Sequence, residues 1–239
     1  MKLHHFIVDA ELSLPTVVIK DKEVLHRIAD VLKLLPGEEV VLSDGKGMEV
    51  VGIIVGPKKN GVEVKIVDKR SSKGLRKVIL CCAMLKRDSF EWAVQKATEV
   101  GATEIMPLIT ERTIKTGLQR SRVEKIIKEA AEQSGKSLVP ILHDPVKFEE
   151  VLKIEGVKIF FDFCDERFKA GDSVGSRRGE PLGTTRQQVM IFIGPEGGWT
   201  PREKKLAEDA GCLVRSLGAT TMRAETAATI ATYLIAQNI

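Results

Sequence analysis

The residues of this chain best suited to chemistry gather in its last third. Ile193-Gly194-Pro195-Glu196-Gly197-Gly198-Trp199-Thr200-Pro201 is followed by two further small-residue loops, Leu217-Gly218 and Met222-Arg223-Ala224-Glu225-Thr226-Ala227. Glycines let the backbone turn sharply and let a flat ligand lie against peptide groups without Cβ interference. For GPEGG taken alone, an ordinary tight turn is the competing reading. The flanking residues say how the loop is positioned. Val189–Ile193 (VMIFI) is wholly apolar, as a buried parallel strand is. Thr200-Pro201-Arg202-Glu203 then supplies an N-cap, a proline at the first helical position and a capping-box glutamate. The glycines therefore lie on a strand-to-helix crossover at the carboxyl end of a strand, where open α/β sheets bind ligands.

A chain of 239 residues, 43% hydrophobic and 29% charged, fits one large domain or a small and a medium one. No apolar run approaches the ~18 residues of a membrane span. The N-terminus MKLHHFIVDAEL lacks a signal-peptide core, so a cytoplasmic protein is expected. Cys81, Cys82, Cys164 and Cys212 form no CxxC and have no histidine at ligand spacing, which favours buried thiols and no metal site. The net charge of +4 says little about partners. Its clustering says more: Lys69, Arg70, Lys73, Arg76 and Lys77 form an acid-free stretch, and Arg112, Lys115, Arg120 and Arg122 open another. Such stretches neutralise phosphates, and they are equally the composition of a solvated linker or helix face.

Residues 1–70 read as β-rich. Thr16–Lys20, Glu38–Ser43, Met48–Val55 and Val62–Val67 are β-branched runs, with hairpin signals at Asp44-Gly45 and Asn60-Gly61. One helix is expected over Glu23–Leu34, and the whole suggests a small barrel. The basic segment near 70–77 is the expected linker. From Val78 strands and helices alternate, which implies a parallel sheet covered on both faces. Expected strands are Val78–Leu85, Glu104–Ile109, Val157–Phe163, Val189–Ile193 and Leu213–Leu217. Capping boxes at Asp88–Glu91 and Ser121–Glu124 are expected to open helices ending at Gly101 and Gly135. Shorter helices are expected near Lys147–Ile154 and over 201–210. Gly171–Gln188 reads as a loop, and a last helix runs from Glu225 to Gln237.

The chain contains neither GxGxxG after a strand nor GxxxxGK[ST], so the commoner nucleotide sites are unsupported. IGPEGGWTPREKKLAEDAG and LGATTMRAETAA, with QKATEVGATEIMPLITERT, AAEQSGKSLVP and VLKLLPGEEVVLSDGKG, instead resemble the RsmE family over residues 2 to 237. Those are bacterial small-subunit ribosomal RNA methyltransferases acting on uridine N3, within the SPOUT superfamily. The resemblance implies a PUA-like β-barrel RNA-binding domain over 1–70. Over 71–239 it implies an α/β SPOUT domain with a parallel sheet and a C-terminal trefoil knot holding S-adenosylmethionine. It places Phe163, Ile193, Gly194, Pro195, Gly197, Gly198, Leu217, Gly218, Thr221, Met222, Thr226 and Ala227 at the cofactor. It makes small-subunit ribosomal RNA the partner, with His26, Arg27, Lys33, Lys86, Arg87, Arg112 and Lys115 as RNA contacts.

Uridine N3 must lose a proton to accept a methyl group. Glu196 and Glu225 are the candidate bases, and Arg223 can stabilise the developing imide anion. Two structural roles compete: Glu225 as helix-opening carboxylate, and Arg223 as its ion-pair partner. The final helix is apolar nearly all round, which suits a homodimer, as SPOUT domains form, or the core of a monomer. The chain departs from the family pattern at Thr220, Thr221 and Met222, where Arg, Ile and Leu are usual, and at Lys33 and Lys136, where arginines are usual. Thr220 lacks the charge that an arginine would offer RNA. Two other functions remain open: a SPOUT enzyme acting on another RNA nucleotide or a ribose hydroxyl, and a non-catalytic RNA-binding assembly protein.

Overall fold

A computed structural model describes residues 3–71, 77–114, 117–164, 166–168 and 188–237. The expected linker core at 72–76, nearly all of the loop expected at 171–188 and the candidate Lys115 lie outside the described residues. The chain divides into two compact units, one formed by 1–74 with 131–139 and the other by 75–130 with 140–239.

The first unit contains β1 (His4–Ile7), β2 (Thr16–Ile19), α1 (Lys22–His26), β3 (Glu39–Ser43), β4 (Met48–Lys58) and β5 (Gly61–Ser71). Its sheet has the order β1-β3-β4-β5-β2, antiparallel except for the parallel β1–β3 pair. Phe6, Leu12, Ile19, Ile28, Leu42 and Val64 fill its core. The expected helix over Glu23–Leu34 is shorter: Asp21 caps α1, the chain continues as a π-helical turn over Arg27–Val31, and Lys33 at φ 52° stops it. The strand β1 has no counterpart among the sequence expectations.

The second unit contains β6 (Val78–Ala83), α2 (Arg87–Val100), β7 (Glu104–Ile109), α3 (Arg120–Gln133), β8 (Ile141–Leu142), β9 (Val146–Lys147), α4 (Phe148–Val151), β10 (Val157–Phe161), β11 (Val189–Ile193), α5 (Pro201–Asp209), β12 (Leu213–Arg215) and α6 (Ala224–Gln237). The end of α3 is grouped with the first unit. All its pairings are parallel, in the order β12-β10-β11-β6-β7-β8, with β9 also on β7. This is the parallel α/β sheet that strand–helix alternation predicts. One face packs Met190, Phe192, Phe160 and Ile79 against Phe148 of α4, Ala207 of α5 and Trp199. On the other, α6 lies against α2, β6 and β11.

Two capping boxes are corrected. Lys86, extended and without a side-chain cap, precedes α2, so Asp88 falls inside the first turn. Its carboxylate there meets the positive helix end directly. Ser121 likewise lies within α3, whose first bonds return to the Gln119 carbonyl from the Arg122 and Val123 N–H groups at 3.1 Å each. The box at Thr200 and Glu203 forms as expected.

Candidate active site

The glycine loop begins where β11 ends. Gly198 turns it at φ 70°, with its N–H donating to the Pro195 carbonyl at 2.8 Å. L side chains are strained in that left-handed region, whereas glycine is not. Gly194 is glycine for a different reason: a Cβ there would stand 2.9 Å from the Trp199 ring. The indole is 4% exposed, lies with its ring centroid 4.5 Å from Phe160, and donates Nε1–H to the Phe161 carbonyl at 3.1 Å. An aromatic anchor and its hydrogen bond thus fix the far end of the loop. From the same loop, Glu196 accepts the Lys86 N–H on Oε1 at 3.0 Å, joining it to the crossover after β6.

The loop after β12 completes the arrangement. Ser216 Oγ donates to the Gly218 carbonyl at 2.8 Å, and the chain runs through Thr220, Thr221 and Met222 to Arg223, whose carbonyl receives the Ala227 N–H at 2.9 Å. A cavity of about 740 Å³ lies at the carboxyl ends of β10, β11, β12 and β6. The wall after β10 is Phe161, Asp162 and Phe163; Lys86 and Ser89 contribute from the β6 side. Ile193, Gly194, Pro195, Glu196, Gly198 and Trp199 line it from the glycine loop. Ser216, Leu217 and Thr220–Arg223 line it from the last loop, and Ala224, Glu225 and Ala227 from the start of α6.

This brings together most of the predicted site, including Glu196, Arg223 and Glu225. Gly197 and Gly218 sit on the same loops, and Thr226 in the first turn of α6, without lining the cavity. Asp162 adds a carboxylate, held by an ion pair to Lys204. Ser89, Trp199 and Ser216 line the cavity although no role was expected of them; only their nearness to strand ends marks them in sequence. Arg223 is exposed and has no ion-pair or hydrogen-bonding side-chain partner among the described residues, Glu225 included. Beneath the loops, burial first, then Glu196, then Glu225 push the Cys82 thiol up to about 12.

The remaining predicted RNA contacts are distributed over both units. Arg87 Nε bonds Glu91 at 3.1 Å, and Arg112 reaches the Gly197 carbonyl. Within the first unit, His26 Nδ1 pairs with Asp30 at 2.7 Å. Arg27 is engaged with the buried Glu132 and lies 5.2 Å from the Phe6 ring centroid. Lys33 occupies the left-handed turn described above. Among the described residues no group of His, Cys, Asp and Glu could hold a metal ion, and no helix is long and apolar enough to cross a membrane.

A family model described as an RNA methyltransferase domain matches residues 72–236. The ribosomal RNA small subunit methyltransferase E of Synechocystis sp. is 32% identical over 230 residues, covering 94% of this chain and 72% of that protein. This chain belongs to that family. The Bacillus subtilis member is 30% identical, over 89% of this chain and 86% of its own. Among solved structures, the Neisseria gonorrhoeae member, bound to S-adenosyl methionine, is 28% identical and superposes with a TM-score of 0.83 over 99% of this chain and 98% of its own. A putative methyltransferase of Legionella pneumophila, with the cofactor bound, gives 0.80 at 26% identity over 99% of this chain and 98% of its own.

Proposed function

We propose that this chain is an S-adenosylmethionine-dependent methyltransferase acting on N3 of a uridine in small-subunit (16S) ribosomal RNA. One observation carries the reading: the three C-terminal loops, in a chain belonging to this family, converge on one cavity at the carboxyl ends of adjacent strands. Its volume of about 740 Å³ falls in the range of small-molecule and cofactor sites. The lining fits the cofactor. Bare peptide groups and the apolar Leu217, Met222 and Ile193 suit an adenine, while Glu196, Glu225 and Asp162 suit a cationic end.

When bound, the cofactor supplies an electrophilic methyl group on a sulfonium. The residues do the rest. Arg223, without a side-chain partner among the described residues, offers its guanidinium to the uracil oxygen on which negative charge develops. Glu196 and Glu225 are the available proton acceptors, and Glu196 already spends one oxygen on the Lys86 N–H. With cofactor and uridine bound in line, proximity and alignment would supply up to ~7–11 kcal/mol of the barrier reduction.

Finer assignments belong to the same proposal. The first unit acts as a PUA-like RNA-binding barrel over 1–70, with the methyltransferase domain over 71–239. A trefoil knot is supported by the path of the chain, which leaves β12 at the sheet edge and returns as α6 against α2, β6 and β11. The working form is a homodimer in the cytoplasm.

Titration of the purified chain with S-adenosylmethionine by calorimetry tests the cofactor; absence of binding would favour a non-catalytic RNA-binding protein. Nucleoside mass spectrometry of ribosomal RNA from a deletion strain tests the product, and 3-methyluridine must disappear. Thr220 and Thr221 line the cavity where the family usually carries Arg and Ile, which favours a second reading in which another nucleotide or a ribose hydroxyl is modified. Under it, a different modified nucleoside disappears.

A further inference from the structure

The loop after β7 holds the glycine loop from outside the cavity. It is stiffened by its own turn: the Thr110 N–H donates to Thr113 Oγ1 at 2.9 Å, and the Thr113 N–H to the Thr110 carbonyl at 3.1 Å. From this turn the Glu111 N–H donates to Glu203 Oε1 at 2.9 Å, while Glu203 Oε2 accepts the Thr200 N–H at 2.9 Å. Glu203 is 1% exposed, so one buried carboxylate joins the turn to the start of α5. Arg202 adds Nη1 to Glu111 Oε1 at 2.6 Å. Arg112 then lies across the glycine loop with Nη1 donating to the Gly197 carbonyl.

Gly197 does not line the cavity. A Cβ placed on it would stand 3.3 Å from Arg112 Cδ. The missing side chain at 197 therefore makes room for the arginine stem, whereas Gly198 is glycine because of its φ of 70°. Adjacent glycines answer to two different constraints, one outside the cavity and one in the backbone.

We infer that Arg112 is a positioning residue for the cofactor loop: it fixes the Gly197 peptide, and so the Gly198 turn lining the cavity, through the Gly197 carbonyl. The inference rests on the cofactor reading of that cavity and separates Arg112 from the RNA contacts among which its charge placed it. The two roles have different signatures. A phosphate contact governs the KM for RNA and the salt dependence of binding. A positioning contact governs cofactor affinity, and a charge-assisted hydrogen bond is large enough to change it about 10-fold.

The experiment compares the full chain with R112A, R112K and G197A. It measures S-adenosylmethionine affinity by calorimetry, the KM for ribosomal RNA at saturating cofactor with its salt slope, and thermal unfolding without cofactor. R112A is expected to raise the cofactor Kd about 10-fold while the RNA KM changes less than about 3-fold. R112K, which keeps a donor but loses the planar fork, recovers part of that loss. G197A, whose Cβ presses the arginine stem aside by a few tenths of an ångström while leaving its charge, is expected to raise the cofactor Kd less than R112A does, and serves if R112A fails to fold. Unchanged cofactor affinity in both R112A and G197A overturns the inference. So does a raised RNA KM with a salt slope reduced by about 1 in R112A. Failure of the wild-type chain to bind the cofactor instead removes the cofactor reading itself.

Discussion

Gly194–Trp199 and Ser216–Arg223 wall the same cavity but are anchored differently. The first is tied to three other elements: Trp199 to β10, Glu196 to the crossover after β6, and Gly197 to the turn after β7. The second is tied at Ser216, to Glu166 and Phe168, and then mainly to itself through Ser216 and Gly218. Between Leu217 and Met222 no bond to another element occurs among the described residues. A loop fastened on several sides suits a ligand that never varies. A loop fastened at its ends tolerates change, and Thr220, Thr221 and Met222, which the sequence resemblance marks as departures from the family pattern, fall in that stretch.

The contrast can be broken in order of expected effect. Trp199→Ala removes the main anchor of the first loop and should cost about 3–5 kcal/mol of stability by denaturant unfolding; a cost below about 1 kcal/mol would mean the indole anchors nothing. Arg223→Ala should slow single-turnover methyl transfer about 10²–10³-fold while the cofactor Kd moves less than about 3-fold. Equal losses in both would make it a cofactor or folding residue. Gly198→Val forces a β-branched residue into the left-handed region, a strain of about 1–2 kcal/mol, and should weaken cofactor binding severely with the chain still folded. Calorimetry with circular dichroism checks it, and wild-type affinity would reject the loop assignment. Met222→Leu, in the freer loop, should cost less than about 1.5 kcal/mol in stability and leave cofactor affinity nearly unchanged. A large loss there would erase the distinction between the loops.

What the sequence disclosed follows the range of the interactions involved. The box at Thr200 and Glu203 is closed by residues three apart, and it formed as read. The start of α2 is not legible locally: Lys86, which precedes it, has no side-chain cap, and its own N–H is held by Glu196, far along the chain. No local signal marks β1, since His4-His5-Phe6-Ile7 does not alternate and its partner β3 is remote. Glycine spacing and family resemblance located the cavity. Neither could divide the reasons for Gly194, Gly197 and Gly198 among an indole, an arginine and a backbone angle. The assignment of 131–139 to the first unit is equally non-local: Glu132 accepts the Ile7 N–H at 2.8 Å and holds Arg27.

The protonated thiol of Cys82 bears on chemical self-protection. A sulfonium is an electrophile, and a thiolate aligned with its methyl group is a competing nucleophile. Burial first, then Glu196 and Glu225, push the Cys82 thiol up to about 12, away from the reactive thiolate form. Burial does most of this, since Cys82 is fully enclosed, and the two acids that line the cavity only add to it.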